Sequence, residues 1–369
     1  MHLALVLLVI VHGLIHLLGF AKAFGLAPLP QLTRPVSRPA GVLWLAAAAL
    51  FVAAGALLLL RVGAWWAPAL AAVVSSQVLI ARAWTDARYG TLANVVVLVA
   101  LVPALAELSP TSFSREYARV VDQALARPAG AAPVVTEADL ASLPPPVQRY
   151  LRRSGAVGQP QVRNVHATFS GTFRRHPREA PLQVVAEQYN FFDEPARYFY
   201  IRGQLFGVPF DGLHLFEGPS ATMRIRVASL LQVGDAKGPQ MNQGETVTLF
   251  NDMCFLAPSS LIDPRIAWEP VDDRTVKARF TNHGVTVGAE LRFDAQGDLV
   301  DFISHDRFMS ADGTSYRQVP WSTPVAGFVE VGGRRRWTGG SAVWHLPEGE
   351  YTYVTLTLDS LEYDVTARR

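Results

Sequence analysis

Glu245 and Asp252 are the residues best suited by type to acid–base chemistry. Both lie in the run NQGETVTLFNDMCFL. On a helix they stand two turns apart, about 10 Å along the axis. That exceeds the usual spacing of paired glycosidase carboxylates. A helix cap and a hydrogen-bonded helix acid account for the same two residues. The only cysteine, Cys254, has no histidine or lysine near it in sequence to lower its pKa. It reads as a small buried apolar residue.

The histidines give two further candidates. His12 and His16 are four apart and share a helix face in HGLIHLLGFAKAFGL. One reading is a ligand pair for haem or a metal. The other is hydrogen bonding between helices, with Ser75, Ser76, Gln77 and Asn94 as partners. Two histidines on one helix do not bracket a haem, and no other apolar run offers a histidine. The remaining histidines, among them His214 and His305, fall on separate strands or turns with no zinc spacing. Alternation puts Asp301 and His305 on one sheet face and Asp306 on the other. There is no GxSxG, no P-loop and no dinucleotide fingerprint.

The elements that must position these residues fall into two kinds. The chain has 369 residues, of which 50% are hydrophobic and 17% charged, with a mean hydropathy of +0.19. That is apolar for a globular chain. The excess lies before residue 110, where there are only six Lys or Arg and two acids. Four apolar runs, near 3–24, 41–60, 64–84 and 91–108, each approach the roughly 20 residues that span a membrane. The first is too long, and too poor in N-terminal positive charge, for a simple signal peptide. Lys22, Arg34 and Arg38 in the first loop and Arg82 and Arg88 in the third face Arg61 in the second. The positive-inside rule then places loops one and three in the cytoplasm and everything after residue 110 outside. A net charge of +2 offers nothing to nucleic acid.

Residues 111–160 read as a helical connector. Tyr117, Val121 and Leu125 share one helix side, which suits a membrane surface or an extension of the fourth span. A short helix over 147–154 ends at Gly155, with Val147, Tyr150 and Leu151 docking and Arg149, Arg152 and Arg153 in water. From residue 161 the period becomes two. Short strands alternate with turn signals such as Asp193–Pro195, Asn282–Gly284 and Asp312–Gly313. A sheet this wide curls into a barrel or half-barrel. Within it 245–257 is helix, apolar almost all round and therefore buried. Asn242 and Glu245 have the spacing of a capping box, and Pro258 stops the helix. The expected fold is α+β: a four-helix transmembrane bundle (1–110), a connector, and a curved antiparallel half-barrel (161–369) around a central helix.

Four blocks resemble an uncharacterised family of bacterial membrane proteins. They are the run from His12 quoted above, SSQVLIARAWTDARYGTLANVVVL from Ser75, LPPPVQRYLRRSGAVGQP from Leu143, and MNQGETVTLFNDMCFLAPSSLIDPRIAWEPVDD from Met241. That family is a domain of unknown function, so the resemblance brings no catalytic residues. By architecture the strand–helix–strand half is similar to the lipoprotein-carrier fold of LolA and LolB, in which a curved sheet holds acyl chains. Together these imply a membrane-anchored, extracytoplasmic binding module for a lipid or other apolar ligand, with no cofactor. Its candidate ligand-binding residues are Glu245, Thr248, Phe250, Asp252, Cys254, Trp268 and Trp321. The alternatives are an enzyme on a lipid-like substrate, using Glu245, Asp252, His214 or His305, and a haem or metal protein using His12 and His16.

Overall fold

The computed structural model describes residues 2–128, 130–310 and 313–369, so Asp312 of the expected Asp312–Gly313 turn lies outside the described residues. Two compact units form, divided between Ser112 and Phe113.

The first unit is helical: α1 (His2–Phe24), α2 (Arg38–Leu59), α3 (Trp66–Arg82), the single turn α4 (Trp84–Ala87) and α5 (Gly90–Glu107). Four helical stretches, His2–Phe24, Arg38–Leu59, Gly63–Arg82 and Gly90–Glu107, are long and apolar enough to cross a membrane. Small residues let the helices approach closely. A Cβ at Gly13 would stand 2.6 Å from that of Phe51, and one at Gly19 would stand 2.5 Å from the Trp44 ring. The polar groups inside find one another. His12 Nε2 pairs with Asn94 Oδ1 at 2.9 Å, and His16 Nε2 with Ser76 Oγ at 2.8 Å. Asn94 Nδ2 donates to Ser76 and Gln77. The two histidines therefore hold α1 to α3 and α5 by hydrogen bonds.

The second unit begins with α6 (Phe113–Leu125), α7 (Glu137–Leu140) and α8 (Pro145–Arg153). Six strands follow: β1 (Asn164–Phe173), β2 (Leu182–Phe191), β3 (Ala196–Leu205), β4 (Val208–Glu217), β5 (Ser220–Val227) and β6 (Leu231–Lys237). Helix α9 (Pro239–Leu256) comes next, and then β7 (Ile266–Pro270), β8 (Thr275–Asn282), β9 (Val285–Phe293) and β10 (Leu299–Ser304). Short strands β11 (Phe308–Met309), β12 (Arg317–Gln318) and β13 (Trp321–Ser322) precede β14 (Val325–Val331), β15 (Arg334–Leu346) and β16 (Gly349–Tyr363). The sheet runs β6-β5-β4-β3-β2-β1-β16-β15-β13-β10-β9-β8-β7, with β14 on β15 and β11 on β12 as a separate pair. Every pairing is antiparallel, and the sheet curls into a half-barrel.

The two edge strands, β6 and β7, are consecutive in sequence and joined through α9. To connect opposite edges of a curled sheet the helix must cross its hollow. It touches β5 and β6 at one end of the sheet, β9 and β10 at the other, and β15 between them.

Two expectations are corrected. Helix α9 starts at Pro239, ahead of the expected 245 and of its expected cap at Asn242. Pro239 supplies a first-turn residue with no N–H to satisfy, and the Asn242 side chain instead accepts from the Ala221 backbone at 2.8 Å. Helix α6 turns its apolar side to the sheet, leaving no apolar stripe for a membrane surface. Its Phe113, Tyr117 and Val121 are buried against Tyr189, Tyr198, Tyr200 and Leu213 on β2–β4. Arg153 is exposed, as expected, while it and Arg335 clamp Asp298 with hydrogen bonds of 2.7–3.1 Å. The docking of α8 agrees with its pattern. Val147, Tyr150 and Leu151 are buried, and the Tyr150 hydroxyl donates to the Cys254 carbonyl at 2.7 Å.

Candidate functional site

Helix α6 decides which parity of the strands faces inward. On β3 it takes Tyr198 and Tyr200, which sends Arg197, Phe199 and Ile201 to the hollow. On β4 it takes Leu213, leaving Phe210, Gly212 and His214 inside.

Helix α9 then divides the interior. One side packs solid on β8–β10. Phe250 stacks on Phe280, with ring centroids 5.4 Å apart, and meets Phe302 edge-on at the same separation. The other side faces β3–β5 across a cavity of about 280 Å³. Its apolar wall includes Phe173, Phe199, Phe210, Ile225 and Leu356. Its polar wall is built from Arg197, His214, Glu245, Thr248, Asp252 and Arg307.

The polar wall is an ion-pair network. Arg197 Nε donates to Asp252 Oδ2 at 2.8 Å, and Nη2 donates to Gln188 Oε1 at 3.0 Å. Its Nη1 stands 3.4 Å from both Glu245 Oε2 and His214 Nδ1. Asp252 Oδ2 also accepts from Gln188 and Asn190, at 2.8 and 2.9 Å. The Thr248 hydroxyl lies 3.2 Å from Glu245 Oε1 and 3.0 Å from the Gly244 carbonyl. Arg307 Nη2 lies 3.7 Å from Glu245 Oε1.

These contacts set the charge states. Burial pushes the Glu245 carboxyl up, but His214, Arg197 and Arg307 outweigh it and hold the pKa below the usual value. Burial depresses His214 to about 4 against the pull of Glu245. His214 is therefore neutral near pH 7, and the guanidiniums of Arg197 and Arg307 are the positive charges beside Glu245. Burial wins at Asp252, whose pKa is raised despite Arg197 and Asn190. Burial also raises the Cys254 thiol well above its ordinary range. That favours the neutral thiol over the nucleophilic thiolate.

Of the residues singled out by sequence, Glu245, Thr248, Asp252 and Trp321 line the cavity. Phe250 and Cys254 are fully buried in the packed half. Trp268 packs against the same core from β7, with its indole N–H buried and lacking a hydrogen-bond partner. His214 joins Glu245, with Nε2 3.4 Å from Oε1, while His305 is exposed. Arg197, Arg307, Gln188 and Asn190 were not singled out. The available signal was an arginine in the parity that carries Phe199 and Ile201.

A second cluster has the spacing of a proton relay. Ser322 Oγ lies 2.8 Å from His345 Nε2, and His345 Nδ1 lies 3.5 Å from Glu350. Ser322 is buried. It alternates with Trp321, so its side chain points away from the cavity that Trp321 lines.

The second unit is thus a curled antiparallel half-barrel whose crossing helix leaves one apolar cavity wall and one charge-paired wall. The chain belongs to a family of unknown function, DUF6544, matched over residues 133–356. Among solved structures, it is similar to the crystal structure of a putative outer membrane lipoprotein-sorting protein domain from Vibrio parahaemolyticus. Identity is 11% and the TM-score 0.32, over 56% of this chain and 87% of that chain. No curated protein matches.

Proposed function

We propose that this protein is a membrane-anchored binding module that holds the apolar part of a lipid or similar amphiphile in the half-barrel cavity. The observation that carries the reading is the cavity beside α9, lined by aromatic and aliphatic side chains together with a cluster of charged groups. Ligand sites are mostly apolar, with a few placed polar groups that fix orientation. At about 280 Å³ it stands just below the roughly 300–1,000 Å³ typical of such sites. That suits one chain or chain segment better than a whole lipid. The four apolar helices would supply the anchor, and the positive charges of loops one and three support an extracytoplasmic half-barrel.

The test is mass spectrometry of what leaves with the full-length protein purified in a mild detergent. A stoichiometric amphiphile is expected, and Ile225→Arg, which puts a charge on the apolar wall, should deplete it. Protein that carries no such molecule and binds no neutral apolar dye would refute the reading.

A further inference from the structure

One side chain of the polar wall is left unfinished. Arg307 lies just before β11, its guanidinium carbon 4.3 Å from the centroid of Trp321 and 5.8 Å from that of Trp344. The side chain is only 13% exposed. It makes no side-chain hydrogen bond among the described residues, and its Nε is buried without an acceptor. Its nearest carboxylate oxygen, on Glu245, is 3.7 Å away. Arg197 is the contrast, with Asp252, Gln188, Glu245 and His214 around it. A guanidinium carries five donors in a fixed fork, and buried donors without acceptors are costly.

The charges on this wall bound what acceptor would suit. Arg197 and Arg307 face Glu245 and Asp252, and His214 is neutral. The count is two against two. A carboxylate or phosphate brought to Arg307 would add a third negative charge beside Glu245 in a poorly solvated place. An uncharged oxygen acceptor meets the free donors and keeps the balance. The Trp321 ring beneath the guanidinium and the apolar side chains that line the same cavity suit the hydrocarbon attached to such a group.

We infer that Arg307 reads the head of an uncharged acyl ester. The ester carbonyl oxygen accepts from the guanidinium, and the acyl chain lies along Phe199, Phe210, Ile225 and Leu356. This rests on the binding function proposed above and names its ligand class.

The experiment uses the full-length protein in an ester-free alkyl glycoside detergent near pH 7.5. Displacement of the neutral dye N-phenyl-1-naphthylamine is measured with monoolein, sodium oleate and octadecene, against protein-free micelles. Monoolein should displace the dye at about tenfold lower concentration than the other two. Arg307→Met should bring the three within about twofold while dye affinity holds, and Arg307→Lys should keep part of the preference. Oleate matching or beating monoolein would overturn the inference in favour of an anion site. An undiminished monoolein preference in Arg307→Met would also overturn it, as would equal displacement by all three in the wild type. The wild-type order stands whether or not the variants fold. Dye that never binds would instead remove the binding function itself.

Discussion

Arg197→Met removes the charge on which the polar wall closes. Methionine keeps an unbranched, flexible side chain and takes away every donor. Asp252 then retains only the amides of Gln188 and Asn190. Glu245 retains Thr248 at 3.2 Å and Arg307 at 3.7 Å. Both carboxylates stay in a wall where the Glu245 side chain is 1% exposed and that of Asp252 is 13% exposed. Deleting one partner of a buried ion pair costs about 3–5 kcal/mol. Asp252 already has a raised pKa, so part of the penalty is relieved by proton uptake, which sets the expectation near the lower bound. At roughly 2–4 °C per kcal/mol for a unit of this size, the Tm should fall by about 6–12 °C. The assay is near-UV circular dichroism of full-length protein during heating, at a series of pH values. In the variant Asp252, already raised, loses the guanidinium that opposes burial, and Glu245 loses one of the charges that lower it, so both carboxyls move up from their wild-type values. The deficit should therefore be largest at high pH and shrink as pH falls toward the unfolded carboxylate range. Arg197→Met with Glu245→Gln should recover part of the loss. A variant within about 1 kcal/mol of wild type, the scale of one ordinary hydrogen bond, would refute the reasoning. So would a deficit that does not change with pH.

Tyr150→Phe orphans the buried Cys254 carbonyl and should cost about 1–3 kcal/mol in denaturant titrations, with an unchanged m-value. Burial raises Asp301 to about 6, over the opposing backbone bond at Phe302 and the charge of Arg292. Its folded pKa exceeds its unfolded one, so its charge costs stability above pH 6 and that cost is relieved as pH falls. Asp301→Asn should raise Tm at neutral pH, with the gain closing as pH falls from about 6 to about 4; a gain that grows on acidification would contradict the sign. Gly155 has φ +74°, and a Cβ there would stand 2.2 Å from the Gly333 carbonyl oxygen. Gly155→Ala should therefore cost about 1–3 kcal/mol on backbone strain alone, and more from the clash. A neutral result by thermal melt would show that this turn can shift.

The central helix was legible because its apolar residues go nearly all round and Pro258 follows them. Its start was not. Asn242 and Glu245 have capping-box spacing, but Gly238–Pro239 offers an earlier start, and a spacing rule cannot choose between two workable beginnings. The choice matters, because Glu245 then sits inside the helix, where its carboxylate faces Arg197. Alternation divided the strand residues correctly into two sets but could not say which set faces in. That was decided by α6, whose apolar side took Tyr198 and Tyr200. Phe250, Cys254 and Trp268 were chosen by type as ligand contacts, yet all three join the packed core. Only the three-dimensional course of the sheet shows which side of α9 is solid. The partners of Glu245 were out of reach for a different reason: Arg197 lies 48 residues earlier, and no local pattern links a strand arginine to a helix acid at that distance.

The charged wall has a physical consequence for the cavity itself. Helix α9 crosses the hollow with one face pressed on β8–β10, so its other face could close on β3–β5 and expel the space between. Closure would bring Phe199, Ile201 and Phe210 onto the side of the helix that carries Glu245 and Asp252. The carboxylates could follow only by leaving Arg197 and Arg307, or by carrying them into apolar surroundings. Either course puts ions where desolvation exceeds what pairing returns. An all-apolar version of this wall would gain by collapse, as cores repack to native density when nothing opposes it. The network therefore acts as a spacer. It holds α9 off β3 and β4 at a separation set by a guanidinium and two carboxylates, and the space stays open because closing it would bury those charges.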